Sequence, residues 1–235
     1  MVFCIVFAIV GVGALLFYYL QSKIVAMQKR KKLFMSRGEA ENIVEKLAGC
    51  GYFRYADPGY VGSLREEMTD CFSEYGMLLM SYDEETSLGL DGRHFLFDNE
   101  TVFEGEGFTG ALADMQGFFD KAGLRLNVTD HIEDYDSETG LDHELTINGK
   151  RYVIFHHFRG YGWGEASYRF ADMINDQMQL QGKDERIYLI NAANDGSAVF
   201  LTHSQFNIID SVGTDDRDKP LPTDRWCKVW HVARE

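Results

Sequence analysis

Apolar residues recur at helical spacing in five stretches of the chain. Ser36 and Glu39 have the spacing of a capping box, and Asp57 followed by Pro58 has the form of an N-cap with a first-turn proline. Apolar positions three and four residues apart follow both signals and predict two early helices. The five predicted helices begin near Ser36, Asp57, Thr109, Trp163 and Ser204. The glycines expected to end the first four are Gly49 or Gly51, Gly76, Gly123 and Gly182.

Shorter apolar runs bounded by turn residues predict the strands. Asn148-Gly149 is the dipeptide preferred in a type I′ turn, so two of these runs are expected to form a tight hairpin. Adjacent hairpins among packed helices favour an α+β fold with a single mixed or mainly antiparallel sheet. The aromatic stretch Arg225–Val232 is expected to dock on this body as a late strand. The predicted strands are Met77–Tyr82, His94–Asp98, Leu124–Thr129, His143–Ile147, Lys150–Phe158, Arg186–Asn191 and Ala198–Thr202.

The first part of the chain is apolar and contains no charged residue over residues 2–20. As a helix this run would span roughly 28 Å, close to the hydrocarbon thickness of a bilayer. The alternative is a cleaved signal peptide, which would need basic residues ahead of the run, whereas the first basic residue is Lys23. We therefore expect one transmembrane anchor with its basic flank in residues 1–35, followed by a single domain over residues 36–235.

Basic residues after the apolar run set the expected orientation. Residues 21–35 hold Lys23 and the cluster Lys29–Lys32, and no acidic residue. Since such flanks remain on the cytoplasmic side, we expect a single-pass protein of the cell membrane with its N-terminus outside and its domain in the cytoplasm. The body holds three cysteines, an odd number that fits a reducing compartment better than an oxidising one. No two of them have CxxC spacing, so neither a redox nor a zinc motif is indicated.

The predicted domain is strongly acidic. Residues 36–235 contain 18 basic and 37 acidic residues, a formal balance of −19. A hydrophobic content of 45% excludes a disordered chain, and the negative charge makes direct nucleic-acid binding unexpected. A protein partner of basic character would instead be attracted by electrostatic complementarity.

The predicted hairpin carries three histidines. A two-residue turn places Ile147 opposite Lys150 and His143 opposite Ile154, so that His143 and His156 share a face as diagonal neighbours. The adjacent His156 and His157 are expected to point to opposite faces. Two imidazoles with a further ligand can hold a transition metal, which makes His143 and His156 weak metal candidates. The alternative is two structural histidines, and no metal or cofactor is predicted.

The segment Arg159-Gly160-Tyr161-Gly162-Trp163 joins a predicted strand to a predicted helix. Its glycine spacing fits neither G-x-G-x-x-G nor the Walker pattern, so its simplest interpretation is a tight connection. Arginine, tyrosine and tryptophan are also the residue types of binding hot spots, and Arg159, Tyr161 and Trp163 are therefore the candidate partner-binding residues. The acidic run Asp130–Glu144 fails the EF-hand template and is interpreted as a solvated loop.

The sequence contains no G-x-S-x-G, no H-E-x-x-H and no cysteine-protease signature. An acidic α+β body without a catalytic motif is similar in type to bacterial immunity proteins of toxin systems, although no individual residue carries over from them. The expected function is a membrane-anchored cytoplasmic protein-binding module, with an inhibitor or immunity protein as one concrete version. The alternatives are a hydrolase-like enzyme with its site near residues 143–165 and a structural subunit of a membrane complex.

Overall fold

The computed structural model describes residues 33–79, 81–82, 89–192 and 196–234, which form an α+β protein with two small antiparallel sheets. The α-helices are α1 (Arg37–Gly49), α2 (Val61–Tyr75), α3 (Asn99–Phe103), α4 (Gly107–Asp114), α5 (Gln116–Ala122), α6 (Trp163–Leu180), α7 (His203–Asp210) and α8 (Thr223–Trp230). The strands are β1 (His94–Leu96), β2 (Val128–Asp136), β3 (Gly140–Ile147), β4 (Lys150–Phe158), β5 (Glu185–Ile190) and β6 (Ser197–Thr202). Short 3₁₀ turns cover Tyr52–Tyr55 and Asp216–Asp218.

The expectation of a single sheet is wrong, because the strands divide into two groups. Sheet A has the order β1-β6-β5, and sheet B has the order β2-β3-β4. In sheet B, consecutive strands are joined by tight turns and pair with each other, whereas β1 pairs with the distant β6. Helix α6 separates the two sheets, since it packs against β5 of sheet A and β4 of sheet B.

Helix α6 lies at the centre of the main apolar core. Its buried residues include Ala166, Phe170, Met173, Ile174 and Met178, which cover more than one face of the helix. A second core lies on the other side of sheet A, where α1 and α2 cover the strands. The buried residues of β5 and β6 therefore serve both cores, as expected for a sheet that is covered on both faces.

Local capping signals position several helices as the sequence predicts. The Ser36 hydroxyl accepts a hydrogen bond from Glu39 N, and the Glu39 carboxylate accepts one from Ser36 N, so the predicted capping box is confirmed. Gly123 ends α5 in the left-handed conformation, as predicted. Asp57 instead accepts a hydrogen bond from Gly59 N at 2.7 Å in a turn, and α2 begins only at Val61.

Several other predicted elements differ from the structure. The predicted helix from Thr109 is two helices, α4 and α5, which meet at Met115. Residues 77–79 lie outside the strands, and Tyr82 forms a single bridge with Gly89. Strand β2 includes much of the acidic run that was interpreted as a loop, and the C-terminal aromatic stretch forms the helix α8 instead of a strand.

The predicted transmembrane segment, residues 2–20, lies outside the described residues. Within the described part of the chain, no helix combines the length and apolar character needed to cross a bilayer.

Candidate functional site

The candidate site lies on sheet B. Three bulges in the pairing of its strands change the face of the sheet on which its histidines lie. Strand β3 alternates between buried and half-buried residues, so one face of the sheet packs on the core and the other faces solvent. The register shifts between Thr129 and Ile132 on β2, and twice between β3 and β4. Asp130 and His157 have φ angles of 50° and 51°, which are uncommon for residues with a Cβ and mark two of these irregularities.

The bulges change the predicted pairing of the hairpin. Ile147 pairs with Lys150 as predicted, but His143 pairs with Phe155 instead of Ile154. The extra residue on β4 carries His156 away from the buried face on which His143 lies. The structure therefore does not bring His143 and His156 together, and each belongs to a separate cluster.

The inner cluster consists of His131, Glu133 and His143 on the core-facing side of sheet B. The Nε2 atoms of His131 and His143 lie 3.2 Å apart, and His131 Nε2 lies 3.8 Å from Glu133 Oε2. One ligand atom from each of the three side chains falls within 4.8 Å of the others. Two imidazoles and one carboxylate thus converge on a common point.

Neighbouring groups hold the inner cluster in place. Glu133 Oε2 accepts a hydrogen bond of 2.8 Å from the backbone N–H of Glu106, which precedes α4 in a left-handed conformation. The ring of Phe108 packs edge-on against His143 at a centroid distance of 4.7 Å. Burial, with the nearby His131, lowers the pKa of His143 to about 4, so this ring is neutral near pH 7.

A cleft of about 570 Å³ opens beside the inner cluster. It lies between the end of α3, the turn that joins β2 to β3, and the end of β4. Glu133 lines this cleft, which gives the cluster an approach from solvent. The other side chains on its walls include Phe103, Tyr135, Leu141, Phe158 and Arg159.

The outer cluster consists of Asp142, His156 and His157 on the solvent-facing side of sheet B. Asp142 Oδ1 accepts hydrogen bonds of 2.9 Å from His156 Nδ1 and from the backbone N–H of His157. The two histidine rings lie 3.9 Å apart, so the expectation that they point to opposite faces is wrong. The hydrogen bond from His157 N is the main cause of the lowered pKa of Asp142.

The predicted partner-binding residues lie in the loop between β4 and α6. Arg159 lines the cleft, Tyr161 is 91% exposed, and Trp163 is the first residue of α6 and is 37% exposed. A Cβ added at Gly160 would overlap the Phe158 ring, and one added at Gly162 would overlap the Phe103 ring. The loop is therefore packed closely against aromatic side chains while Tyr161 faces solvent.

Sequence reasoning missed His131 and Glu133. These residues have the alternate spacing that places two side chains on one face of a strand, which is the signal that could have found them. The acidic composition of this stretch hides that signal, because it predicts a solvated loop where the structure has β2. Comparison of the chain with protein-family models, curated proteins and solved structures gives no match.

Proposed function

We propose that the protein is a membrane-tethered protein-binding module that docks a basic partner on the 159–163 loop and the adjoining cleft. The observation that carries this proposal is the 91% exposure of Tyr161 on a loop whose backbone is closely packed. An aromatic side chain on a preorganised loop binds with a small loss of conformational entropy, which favours affinity.

The residues around Tyr161 have the composition of a binding surface. Arg159 and the 73% exposed Tyr135 line the cleft, and tyrosine and arginine are enriched among interface hot spots. The apolar walls of the cleft, formed by Phe103 and Phe158, offer a pocket for an anchoring side chain of a partner. Together these groups provide an aromatic centre beside a concave site.

The charge of the surroundings favours a basic partner. Strand β2 and its following turn contribute the exposed residues Asp130, Asp134, Asp136 and Glu138, and Glu104 lies on the edge of the cleft. Acidic surroundings of this kind steer a positively charged partner and make association sensitive to ionic strength. Arg159 would then pair with an isolated acidic group on the partner.

The membrane tether is proposed from the sequence. The uncharged run over residues 2–20 has the length of a spanning helix, and the basic residues that follow favour a cytoplasmic position for the domain. A topology reporter fused at the C-terminus of the full chain tests this part. A reporter signal from the cytoplasmic side is expected, and an extracytoplasmic signal would contradict the proposed orientation.

Site-specific photo-crosslinking in native membranes tests the docking surface. A photoreactive amino acid in place of Tyr161 in the full-length protein is expected to give a discrete protein adduct. The matched control is the same replacement of Tyr60, a 51% exposed tyrosine at the start of α2, which is expected to give none.

The salt dependence of the adduct and a second variant complete this test. The adduct is expected to decrease when the salt concentration is raised and when Arg159→Ala is added. Identical adducts from both positions, or none from position 161, would refute the docking surface. An adduct that is insensitive to salt and to Arg159→Ala would instead favour a structural subunit of a membrane complex.

A further inference from the structure

The geometry of the inner cluster points to a zinc-type metal site: we propose that His131, Glu133 and His143 bind one divalent transition-metal ion. The proposal rests on observations separate from those for the docking surface, and the two sites share one cleft, which Glu133 lines. The metal site differs from the pair His143 and His156 that the sequence suggested, because the bulges place those two histidines in different clusters.

The spacing of the three side chains fits a single ion. Ligands held at about 2.0–2.1 Å around a tetrahedral ion lie about 3.3 Å from one another. The observed separations are 3.2 Å between the two Nε2 atoms and 3.8 Å between His131 Nε2 and Glu133 Oε2. The third separation, between His143 and Glu133, is within 4.8 Å, so rotations of these side chains bring all three ligand atoms around one ion.

The contact between the two imidazoles has one proton at most between its nitrogens. When both rings are neutral, one Nε2 donates this proton and the other accepts it. When a cation binds, the donor ring takes the tautomer with its proton on Nδ1, so that both Nε2 atoms can give an electron pair to the ion. The 3.2 Å contact thus holds the two Nε2 atoms at about the separation that two ligands of one tetrahedral ion have.

The chemistry of the donors selects the class of metal. Two imidazole nitrogens disfavour calcium and magnesium, which prefer sites made of oxygen atoms. Two histidines with one glutamate form a ligand set that zinc accepts together with water in the remaining position. Since Glu133 lines the cleft, that water would face the open side of the site.

The surroundings distinguish the inner cluster from the outer one. Glu133 is oriented by the hydrogen bond from Glu106 N, and His143 is 2% exposed and packs against Phe108. Such supporting contacts fix the ligands and strengthen metal binding. In the outer cluster, the side chains of His156 and His157 are 66% and 54% exposed, so ordering them for a metal would cost conformational entropy.

Cobalt binding to the full-length protein in detergent tests the proposal. After chelator treatment, Co²⁺ is added, and its visible absorption is recorded together with the thermal unfolding midpoint. One bound Co²⁺ per chain is expected, with the absorption of a low-coordinate site with nitrogen and oxygen ligands. The unfolding midpoint is expected to rise with Co²⁺ concentration, because the ion binds only the folded chain.

Two sets of variants locate the ion. Glu133→Gln and His131→Gln are expected to weaken Co²⁺ binding roughly 100-fold or more, since each removes a ligand. The control combines His156→Gln with His157→Gln in the outer cluster and is expected to bind Co²⁺ as the unmodified protein does. Circular dichroism and the metal-free unfolding midpoint show whether each variant is folded.

The outcomes separate the two clusters. Loss of Co²⁺ binding in the folded Glu133→Gln variant, with the control unaffected, supports the proposal. Absence of a Co²⁺ spectrum in the unmodified protein would overturn it. Loss of binding in the outer-cluster control, with Glu133→Gln unaffected, would equally overturn it. None of these measurements involves a partner protein. A negative result for the metal site therefore does not bear on the docking proposal, which the crosslinking experiment tests.

Discussion

The ring of Phe103 occupies the space into which a side chain at Gly162 would project. Phe103 is the last residue of α3, and its ring also packs edge-on against Phe155 and Phe158 of β4 at centroid distances of 5.6 and 6.1 Å. Gly162 has a φ of 75° and is the residue from which α6 begins. The Phe103 ring therefore links the 159–163 loop to both α3 and β4, beside the direct contact of Gly160 with Phe158.

Replacement of Gly162 by alanine is predicted to destabilise the protein strongly. The new Cβ would overlap the Phe103 ring and would also strain the positive φ, for a combined loss of about 3 kcal/mol in the free energy of unfolding. The matched control is Gly149→Ala, because Gly149 has a φ of 80° and nothing within 4 Å of an added Cβ. That variant should lose about 1 kcal/mol, from backbone strain alone. Denaturant unfolding measures both, and equal losses would show that Phe103 does not constrain the loop.

The stability of the metal-free protein is predicted to fall as the pH is lowered from about 6.5 to about 4. The pKa of His143 is about 4 in the folded protein against an ordinary value of 6.5, so the unfolded chain binds a proton that the folded chain excludes. The contribution of the neutral His143 ring to the free energy of unfolding is complete above pH 6.5, and it is lost progressively as the pH falls toward 4. We expect a loss of about 2 kcal/mol, less than the full linkage value because solvent reaches the adjacent His131.

Variants assign this pH dependence to His143. Denaturant unfolding in the presence of a chelator is compared between His143→Gln and His156→Gln. The first is expected to remove most of the slope between pH 6.5 and 4, and the second to leave it, because His156 is exposed. An unchanged slope in His143→Gln would mean that other groups cause the acid sensitivity.

The elements that could be predicted from the sequence are those with a signal within a few residues. Three such features are present as predicted: the capping box of Ser36, the left-handed glycine after α5 and the Asn148-Gly149 turn. Each depends only on residues that are close together in the sequence. The α+β class also follows from them. How the hairpins divide between two sheets depends on their packing against α6, and no local pattern records that choice.

The candidate site could not be predicted because it depends on bulges without glycine. Asp130 and His157 take positive φ angles, and no sequence pattern marks either as a bulge. Strict alternation along the strands therefore paired His143 with His156 and separated His156 from His157, and both inferences are wrong. Once the bulges are included, His131 and Glu133 join His143.

The C-terminal stretch shows a different limit, because aromatic residues suit both a strand and a buried helix face. In the structure, Thr223, Trp226 and Cys227 are the buried residues of α8, and their i, i+3, i+4 spacing places them on one face of the helix. The Trp226 indole N–H also donates a hydrogen bond of 2.6 Å to the carbonyl oxygen of Asn191, just after β5. Tertiary packing of this kind overrides the β propensity of aromatic residues.

Two tryptophan variants on α8 are predicted to differ in stability. Trp226 is 1% exposed, so Trp226→Phe removes both the hydrogen bond to Asn191 and part of a tightly packed ring, for an expected loss of about 2–3 kcal/mol in the free energy of unfolding. Trp230→Phe is the same substitution one turn later. The Trp230 indole N–H has no hydrogen-bond partner among the described residues, so this change gives up no such bond.

Denaturant unfolding of both variants compares the same substitution at a buried, hydrogen-bonded tryptophan and at a half-buried one. Trp230 is half-buried with Arg217 over its ring, so Trp230→Phe is expected to cost less than about 1 kcal/mol. If both variants lost the same stability, the bond from Trp226 to Asn191 would contribute nothing beyond packing. A larger loss in Trp226→Phe is the expected outcome, because this substitution gives up the bond to Asn191 and the packing of a buried ring together. These two contacts dock α8 on the end of sheet A.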